Sequence, residues 1–111
     1  MHELGLCEAI LDAVERRAVD RPVARVRVRV GQLHHVHPEA FEQSFSLVAA
    51  GSVADSAAAE LVLIPIMGRC LSCSSAFESA EPIVACPSCG SLEVEQSGGD
   101  ELTLESIEYR S

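Results

Sequence analysis

Two stretches of the chain repeat apolar residues with the spacing of an α-helix. In the first stretch these residues recur at intervals of three and four, namely Leu4, Cys7, Leu11, Val14 and Ala18, with Ile10 beside them. This apolar face predicts an amphipathic helix from Glu3 to Ala18. The second stretch begins at Pro38, which suits a first helical position, and is followed by Gly51, which suits a helix exit. It predicts a second helix over residues 38–50.

Three other stretches have the pattern of β-strands. PVARVRVRVGQL alternates strictly, with Val and Ala on one face and Arg25, Arg27 and Arg29 on the other, and predicts a half-buried strand. We interpret the arginine row as the solvated face of that strand. ELVLIPIMG predicts a strand near a sheet edge, because Pro65 cannot donate to a ladder. SLEVEQSGGDELTLESIEYR predicts two strands around a turn at 98–100.

These elements together predict an α+β fold, in which two helices pack on a small mixed or antiparallel sheet. A zinc-ribbon-like module with four cysteines is inserted before the last strand. We expect a body formed by residues 1–68 and 98–111 and a metal module formed by residues 69–97. A length of 111 residues allows one compact domain with such a module. The chain has no Trp and few aromatic residues, so a metal crosslink would help to stabilise its small core.

Charge and composition exclude several classes of function. The formal net charge is −9, and the segment from residue 69 to the end has two Arg against eight Asp and Glu. This argues against nucleic-acid binding, which requires basic residues to neutralise phosphates. No stretch approaches the ~20 apolar residues of a membrane span, and the start lacks the pattern of a signal peptide. We therefore expect a cytoplasmic protein without membrane association, whose paired cysteines bind metal or perform redox chemistry.

Four cysteines have the spacing of a metal site. Cys70, Cys73, Cys86 and Cys89 form two C-x2-C pairs separated by twelve residues. Two such turns, here called knuckles, direct four thiolates at one ion, and a site closed in this way is structural rather than catalytic. Gly90 can adopt the left-handed conformation after the second knuckle, whereas the first knuckle lacks this glycine. Zinc is the expected metal, and a rubredoxin-like iron site is the alternative.

The other candidate ligands are histidines and one further cysteine. His2 lies beside the α-amine, and nitrogen-rich planar ligand sets favour nickel or copper. A terminal histidine can also be only a solvated side chain. His34, His35 and His37 could bind an auxiliary metal or form part of an ordinary solvated loop. Cys7 lies on the apolar face of the first predicted helix, and we interpret it as a small buried hydrophobic residue.

Several motifs together resemble one known family over essentially the whole chain. MHEL, GQL, PEAFEQSF, CPSCGS and GGDEL occur in this order, and they are similar to those of the HypA/HybF family, the nickel metallochaperones of nickel-iron hydrogenase maturation. The resemblance implies a nickel site at Met1, His2 and Glu3, with His2 indispensable, and a structural zinc at the four cysteines. It also implies two partners, the nickel-handling GTPase HypB and the hydrogenase large-subunit precursor. The histidine-rich HHVHPEA segment departs from the family pattern and leaves the nickel stoichiometry open.

Two other functions remain open from the residues alone. A zinc-ribbon adaptor that binds another protein would use the cysteines and leave His2 idle. A rubredoxin-like electron carrier would hold iron in the same four thiolates. We do not expect an enzyme, because the sequence shows no nucleophile paired with a base, no open catalytic metal position and no phosphate-binding glycine loop.

Overall fold

The computed structural model describes residues 2–111, with side chains described from Glu3 onward. The elements in chain order are α1 (His2–Ala18), β1 (Val23–Gly31), a 3-10 turn (Gln32–His34), α2 (Pro38–Ala49), β2 (Ala58–Ile64), β3 (Ile66–Cys70), β4 (Ala76–Ser79), β5 (Val94–Ser97) and β6 (Leu102–Tyr109). The strands form two sheets, with the orders β2-β1-β6 and β4-β3-β5. The predicted α+β class with two helices is confirmed, although the strands divide between two sheets of three.

The chain divides into two compact units. The helical unit comprises Met1–Arg29, Val36–Val62 and Leu102–Ser111, and the cysteine unit comprises Val30–His35 and Leu63–Glu101. The cysteine unit therefore includes the end of β1 and the 3-10 turn, which lie far from the cysteines in sequence.

Apolar side chains of both helices form the core of the helical unit. The buried residues of α1 are Cys7, Ile10, Val14 and Ala18, and those of α2 are Phe41, Phe45 and Ala49. The two phenylalanine rings stack with their centroids 6.3 Å apart. Cys7 is fully buried, and its S–H donates to the Phe41 carbonyl at 3.5 Å. The prediction that Cys7 is a buried core residue is confirmed.

The arginine row of β1 forms a ladder of ion pairs with the neighbouring strands. Arg25 and Arg27 both pair with Glu60 on β2, and the Arg27 Nη2 to Glu60 Oε1 distance is 2.7 Å. Arg27 and Arg29 pair with Glu105 on β6. The three arginine side chains keep 41–52% of their surface exposed, so each pair contributes at most about 1 kcal/mol. The row is the solvated face that the alternation predicts, and its charge is largely neutralised.

The segment ELVLIPIMG forms two strands rather than the single predicted one. The break falls at Pro65, and β2 and β3 belong to different sheets. Proline lacks the N–H that a continuous ladder would require, so the chain can change sheets at this position. The two strands predicted around the glycine turn are present as β5 and β6, but they also lie in different sheets. The sequence pattern did not predict β4, which pairs antiparallel with β3.

Two glycine motifs meet inside the cysteine unit. The Gly31 N–H donates to the Glu101 carbonyl at 2.8 Å, and the Leu33 N–H donates to the Gly99 carbonyl at 2.8 Å. A Cβ atom at Gly31 would overlap the backbone of Gly99. The GQL and GGDEL segments therefore pack backbone against backbone, which requires glycine at position 31.

Candidate metal centre

Two similar turns build the cysteine site. The first knuckle begins where β3 ends, and the Ser74 N–H donates to the Cys70 carbonyl at 3.0 Å. In the second knuckle the Gly90 N–H donates to the Cys86 carbonyl at 2.8 Å. Each turn thus spans five residues and directs both of its cysteine side chains to the same side.

The residues that end the two turns differ in conformational strain. Gly90 has a φ of +77°, as the sequence predicts, and Ser74 adopts a φ of +64° at the matching position. A residue with a Cβ atom pays about 1–2 kcal/mol in the left-handed region. The first knuckle therefore carries a backbone strain that the second avoids.

The four sulfur atoms have the spacing of a tetrahedral metal site. The Sγ atoms of Cys70 and Cys89 are 3.6 Å apart, those of Cys73 and Cys86 are 3.7 Å apart, and all four lie within 4.8 Å of one another. A zinc ion with Zn–S bonds near 2.3 Å would place its sulfur ligands about 3.8 Å apart. All four cysteines are free thiols rather than disulfides. The residues therefore fit a four-coordinate ion.

Hydrogen-bond donors surround the sulfurs and favour their ionised form. The backbone N–H groups of Ser72 and Cys73 both donate to Cys70 Sγ at 3.4 Å. The Ser88 N–H donates to Cys86 Sγ at 3.4 Å, and the Ser75 hydroxyl lies 3.1 Å from Cys73 Sγ. Such donors stabilise negative charge on a thiolate.

The thiols also oppose one another's ionisation. Hydrogen bonds from Ser75 lower the pKa of Cys73 to about 6, and the Cys73 N–H lowers the pKa of Cys70. The Ser91 N–H lowers the pKa of Cys89, but the surrounding thiols, Cys70 foremost, raise that pKa to about 12. Four thiolates this close can coexist only with a cation among them, and metal binding supplies one as the protons leave.

The four cysteines differ in their exposure to solvent. Cys70 and Cys86, the first residue of each knuckle, are 1% and 3% exposed, whereas Cys73 and Cys89 are exposed. Four protein ligands complete a tetrahedron and leave no coordination position for a substrate. The arrangement can crosslink the cysteine unit through a metal.

The predicted nickel ligands fall at the start of α1. Met1 and the side chain of His2 lie outside the described residues. Glu3 lies in the first turn of α1 and is half-buried. Burial, followed by the negative charge of Glu3, raises the pKa of Cys7 to about 11. The nickel site stays a prediction.

The three loop histidines occupy different local environments. His34 Nε2 lies 2.9 Å from the Asp100 carbonyl oxygen, so this histidine contributes to the contact between the GQL and GGDEL segments. His35 has a φ of +53°, and His37 precedes α2 without a capping hydrogen bond from its side chain. Among the described residues, the four cysteines are the group of potential metal ligands whose atoms come close together. The auxiliary metal site also stays a prediction.

Comparison with known proteins gives one consistent family. A family model described as "Hydrogenase/urease nickel incorporation, metallochaperone, hypA" matches residues 1–109. A hydrogenase maturation factor HypA from Rhodopseudomonas palustris is 40% identical, with 97% of this chain and 98% of the relative covered. The HypA of Dechloromonas aromatica is 38% identical over the same shares of the two chains.

Solved structures agree with this family at the level of the fold. The solution structure of the nickel metallochaperone HypA from Helicobacter pylori has a TM-score of 0.63 at 23% identity and covers 96% of both chains. A second HypA solution structure has a TM-score of 0.65 at 24% identity, with 99% of this chain and 97% of the other covered. The model match over nearly the whole chain and the identity to full-length relatives show that this protein belongs to the HypA family of hydrogenase maturation factors.

Proposed function

We propose that this protein carries Ni(II) at its amino terminus and delivers it during maturation of nickel-iron hydrogenase, without catalytic turnover. The observation that supports the proposal most directly is the family match over residues 1–109, which includes the Met-His-Glu start. The four-cysteine cluster supports the second part of the proposal, a structural zinc in the same chain.

The proposed nickel ligands are Met1, His2 and Glu3. Because α1 begins at His2, the proposed ligands belong to the first turn of that helix and the residue before it. The positive end of the helix dipole opposes a cation at this position, and the Glu3 carboxylate offsets part of that repulsion. A carrier requires a site that can release its ion to a competing ligand set.

Zinc is the proposed metal at the four cysteines. The sulfur spacing and the closed ligand set suit a structural zinc that adds directly to the folding stability of the cysteine unit. Iron in the same thiolates would make the protein a rubredoxin-like electron carrier, and it would absorb visible light, which zinc does not. Elemental analysis and an absorption spectrum of the purified protein distinguish the two metals.

The proposed partners are the nickel-handling GTPase HypB and the hydrogenase large-subunit precursor, and the proposed location is the cytoplasm. Among the described residues no helix is long and apolar enough to cross a membrane. The formal net charge of −9 disfavours nucleic acid as a partner.

A nickel titration tests the proposal. The untagged protein with its own Met1 is compared with His2→Ala at matched zinc content, and the visible ligand-field absorption of bound nickel is recorded. Saturable binding with a square-planar spectrum, lost in His2→Ala, supports the nickel carrier. Equal binding by both proteins would move the site to His34, His35 and His37, and binding by neither would leave a zinc-ribbon adaptor.

A further inference from the structure

The two knuckles correspond position by position but use their serine hydroxyls differently. Ser75 and Ser91 each lie two positions after the second cysteine of their knuckle. The Ser75 hydroxyl lies 3.1 Å from Cys73 Sγ. The Ser91 hydroxyl instead lies 2.9 Å from the hydroxyl of Ser72 and accepts the Glu93 N–H at 3.1 Å. The hydroxyl donor at Cys73 thus has no counterpart from Ser91 at Cys89.

Only one cysteine of each knuckle is exposed to solution. Cys73 and Cys89 are exposed, whereas Cys70 and Cys86 are buried. A metal holds all four sulfurs as thiolates, so a reagent can attack whichever it reaches. A hydrogen bond withdraws charge from a thiolate and lowers its nucleophilicity. The exposed sulfur that lacks the serine hydroxyl should therefore react first.

We propose that Cys89 is the site at which electrophiles and peroxide modify the metal-loaded protein, and that Ser75 protects Cys73 from the same reaction. The proposal rests on the tetrathiolate zinc site proposed above. It assigns different roles to the two knuckles, so that the second opens first when the site is attacked.

Hydrogen peroxide would convert this attack into a disulfide. The Cys89 thiolate attacks one peroxide oxygen, an S–O bond forms, the O–O bond breaks and hydroxide leaves, which gives a sulfenic acid. The Cys70 thiolate, whose sulfur lies 3.6 Å from that of Cys89, then attacks the oxidised sulfur and expels a second hydroxide. The two sulfurs are oxidised and the peroxide is reduced. The disulfide would leave two of the four thiolates to hold a zinc ion, which would weaken its binding.

Limited alkylation of the zinc-loaded, full-length protein tests the order of attack. The protein is treated with substoichiometric N-ethylmaleimide, quenched in acid and cleaved after glutamate, because Glu78 and Glu81 separate the two knuckles. Mass spectrometry then locates the label. We expect Cys89 to react about fivefold faster than Cys73, the factor that corresponds to one ordinary hydrogen bond.

Substitutions of the two serines provide the matched comparison. Ser75→Ala should raise the rate at Cys73 to that at Cys89, Ser75→Thr should keep the wild-type order because it retains a hydroxyl, and Ser91→Ala should leave the preference for Cys89 unchanged. Preferential labelling of Cys73, or an order that Ser75→Ala does not change, would overturn the proposal. Under peroxide the first disulfide should join Cys70 to Cys89 rather than Cys73 to Cys86, and the reverse pairing would overturn it too.

Elemental analysis before labelling separates this proposal from the zinc assignment. Protein that purifies without one zinc per chain would contradict the metal site itself. Protein that holds zinc but reacts first at Cys73 would contradict only the proposed order of attack. Each variant is compared at equal zinc content, so that a loss of folding is not mistaken for a change in reactivity.

Discussion

Replacing Gly90 with alanine should weaken zinc binding through backbone conformation alone. Gly90 has a φ of +77°, and a Cβ atom added there would meet no heavy atom within 4 Å. The substitution therefore introduces no collision, and its cost is that of an L-residue in the left-handed region, about 1–2 kcal/mol. Alanine also removes about 0.4–1 kcal/mol of conformational entropy from the unfolded chain. Because zinc binding and folding of such modules are coupled, the net cost should lower zinc affinity by up to about 15-fold.

The first knuckle supplies the opposite substitution. Ser74 already holds a φ of +64°, so Ser74→Gly relieves the left-handed strain while it adds about 0.4–1 kcal/mol of conformational entropy to the unfolded chain. The net effect should be tighter zinc binding by no more than about 15-fold. Together the two variants place glycine in the first turn and a residue with a Cβ atom in the second.

Competition with a chromophoric chelator measures both affinities on the full-length protein. If neither variant differs from the wild type by more than about twofold, turn conformation does not limit metal binding and the reasoning is wrong. A loss far beyond about 15-fold in Gly90→Ala would contradict the open surroundings of that residue and indicate a steric cause.

Four further measurements test the nickel site and the helical core. An extension ahead of Met1 should weaken nickel binding, because it turns the α-amine into a peptide nitrogen. The nickel affinity of the form without an extension should fall from pH 8 to 6, because the α-amine and the His2 imidazole gain protons. A nickel affinity that does not change over this range would exclude these ligands. The raised pKa of Cys7, about 11 against 9.0, stabilises the fold up to pH 9, and this contribution is lost as the pH rises to 11. Urea unfolding should show that loss, and Cys7→Ala should lack it. Phe45→Ala should cost about 3–5 kcal/mol, against under about 0.5 kcal/mol for Leu47→Ala at a site that is 76% exposed. Equal melting temperatures for the last pair would contradict the observed burial.

Local patterns in the sequence determine most of the elements. The 3.6-residue period and Pro38 predict α2 to within one residue of its observed end at Ala49. The C-x2-C spacing alone identifies all four residues of the thiolate cluster, because each turn needs only its own few residues to direct its sulfurs. Where a structure depends on neighbours in sequence, the prediction succeeds.

The assignment of strands to sheets could not be predicted in the same way. Alternation shows which face of a strand is buried but not which strand lies beside it. The glycine turn between β5 and β6 therefore suggests that they are neighbours, although they lie in separate sheets. β4 has only four residues, too few to show a period. The inclusion of residues 30–35 in the cysteine unit depends on backbone contacts between Gly31 and the 99–101 segment, and a glycine leaves no hydrophobic pattern to detect.

The proposed metal sites have opposite requirements, and each would lie in a different unit of the fold. A structural ion must remain bound, and the cysteine unit offers four ligands on two turns joined to β3 and β5. A carried ion must be released, and ligands at the first turn of a helix depend on that helix alone. α1 packs against α2 and β6, which both belong to the helical unit. Removal of zinc by a chelator should therefore unfold the cysteine unit while α1 keeps its helical signal and the protein still binds nickel. Loss of nickel binding in step with zinc would show instead that the cysteine unit supplies a nickel ligand or holds α1 in place.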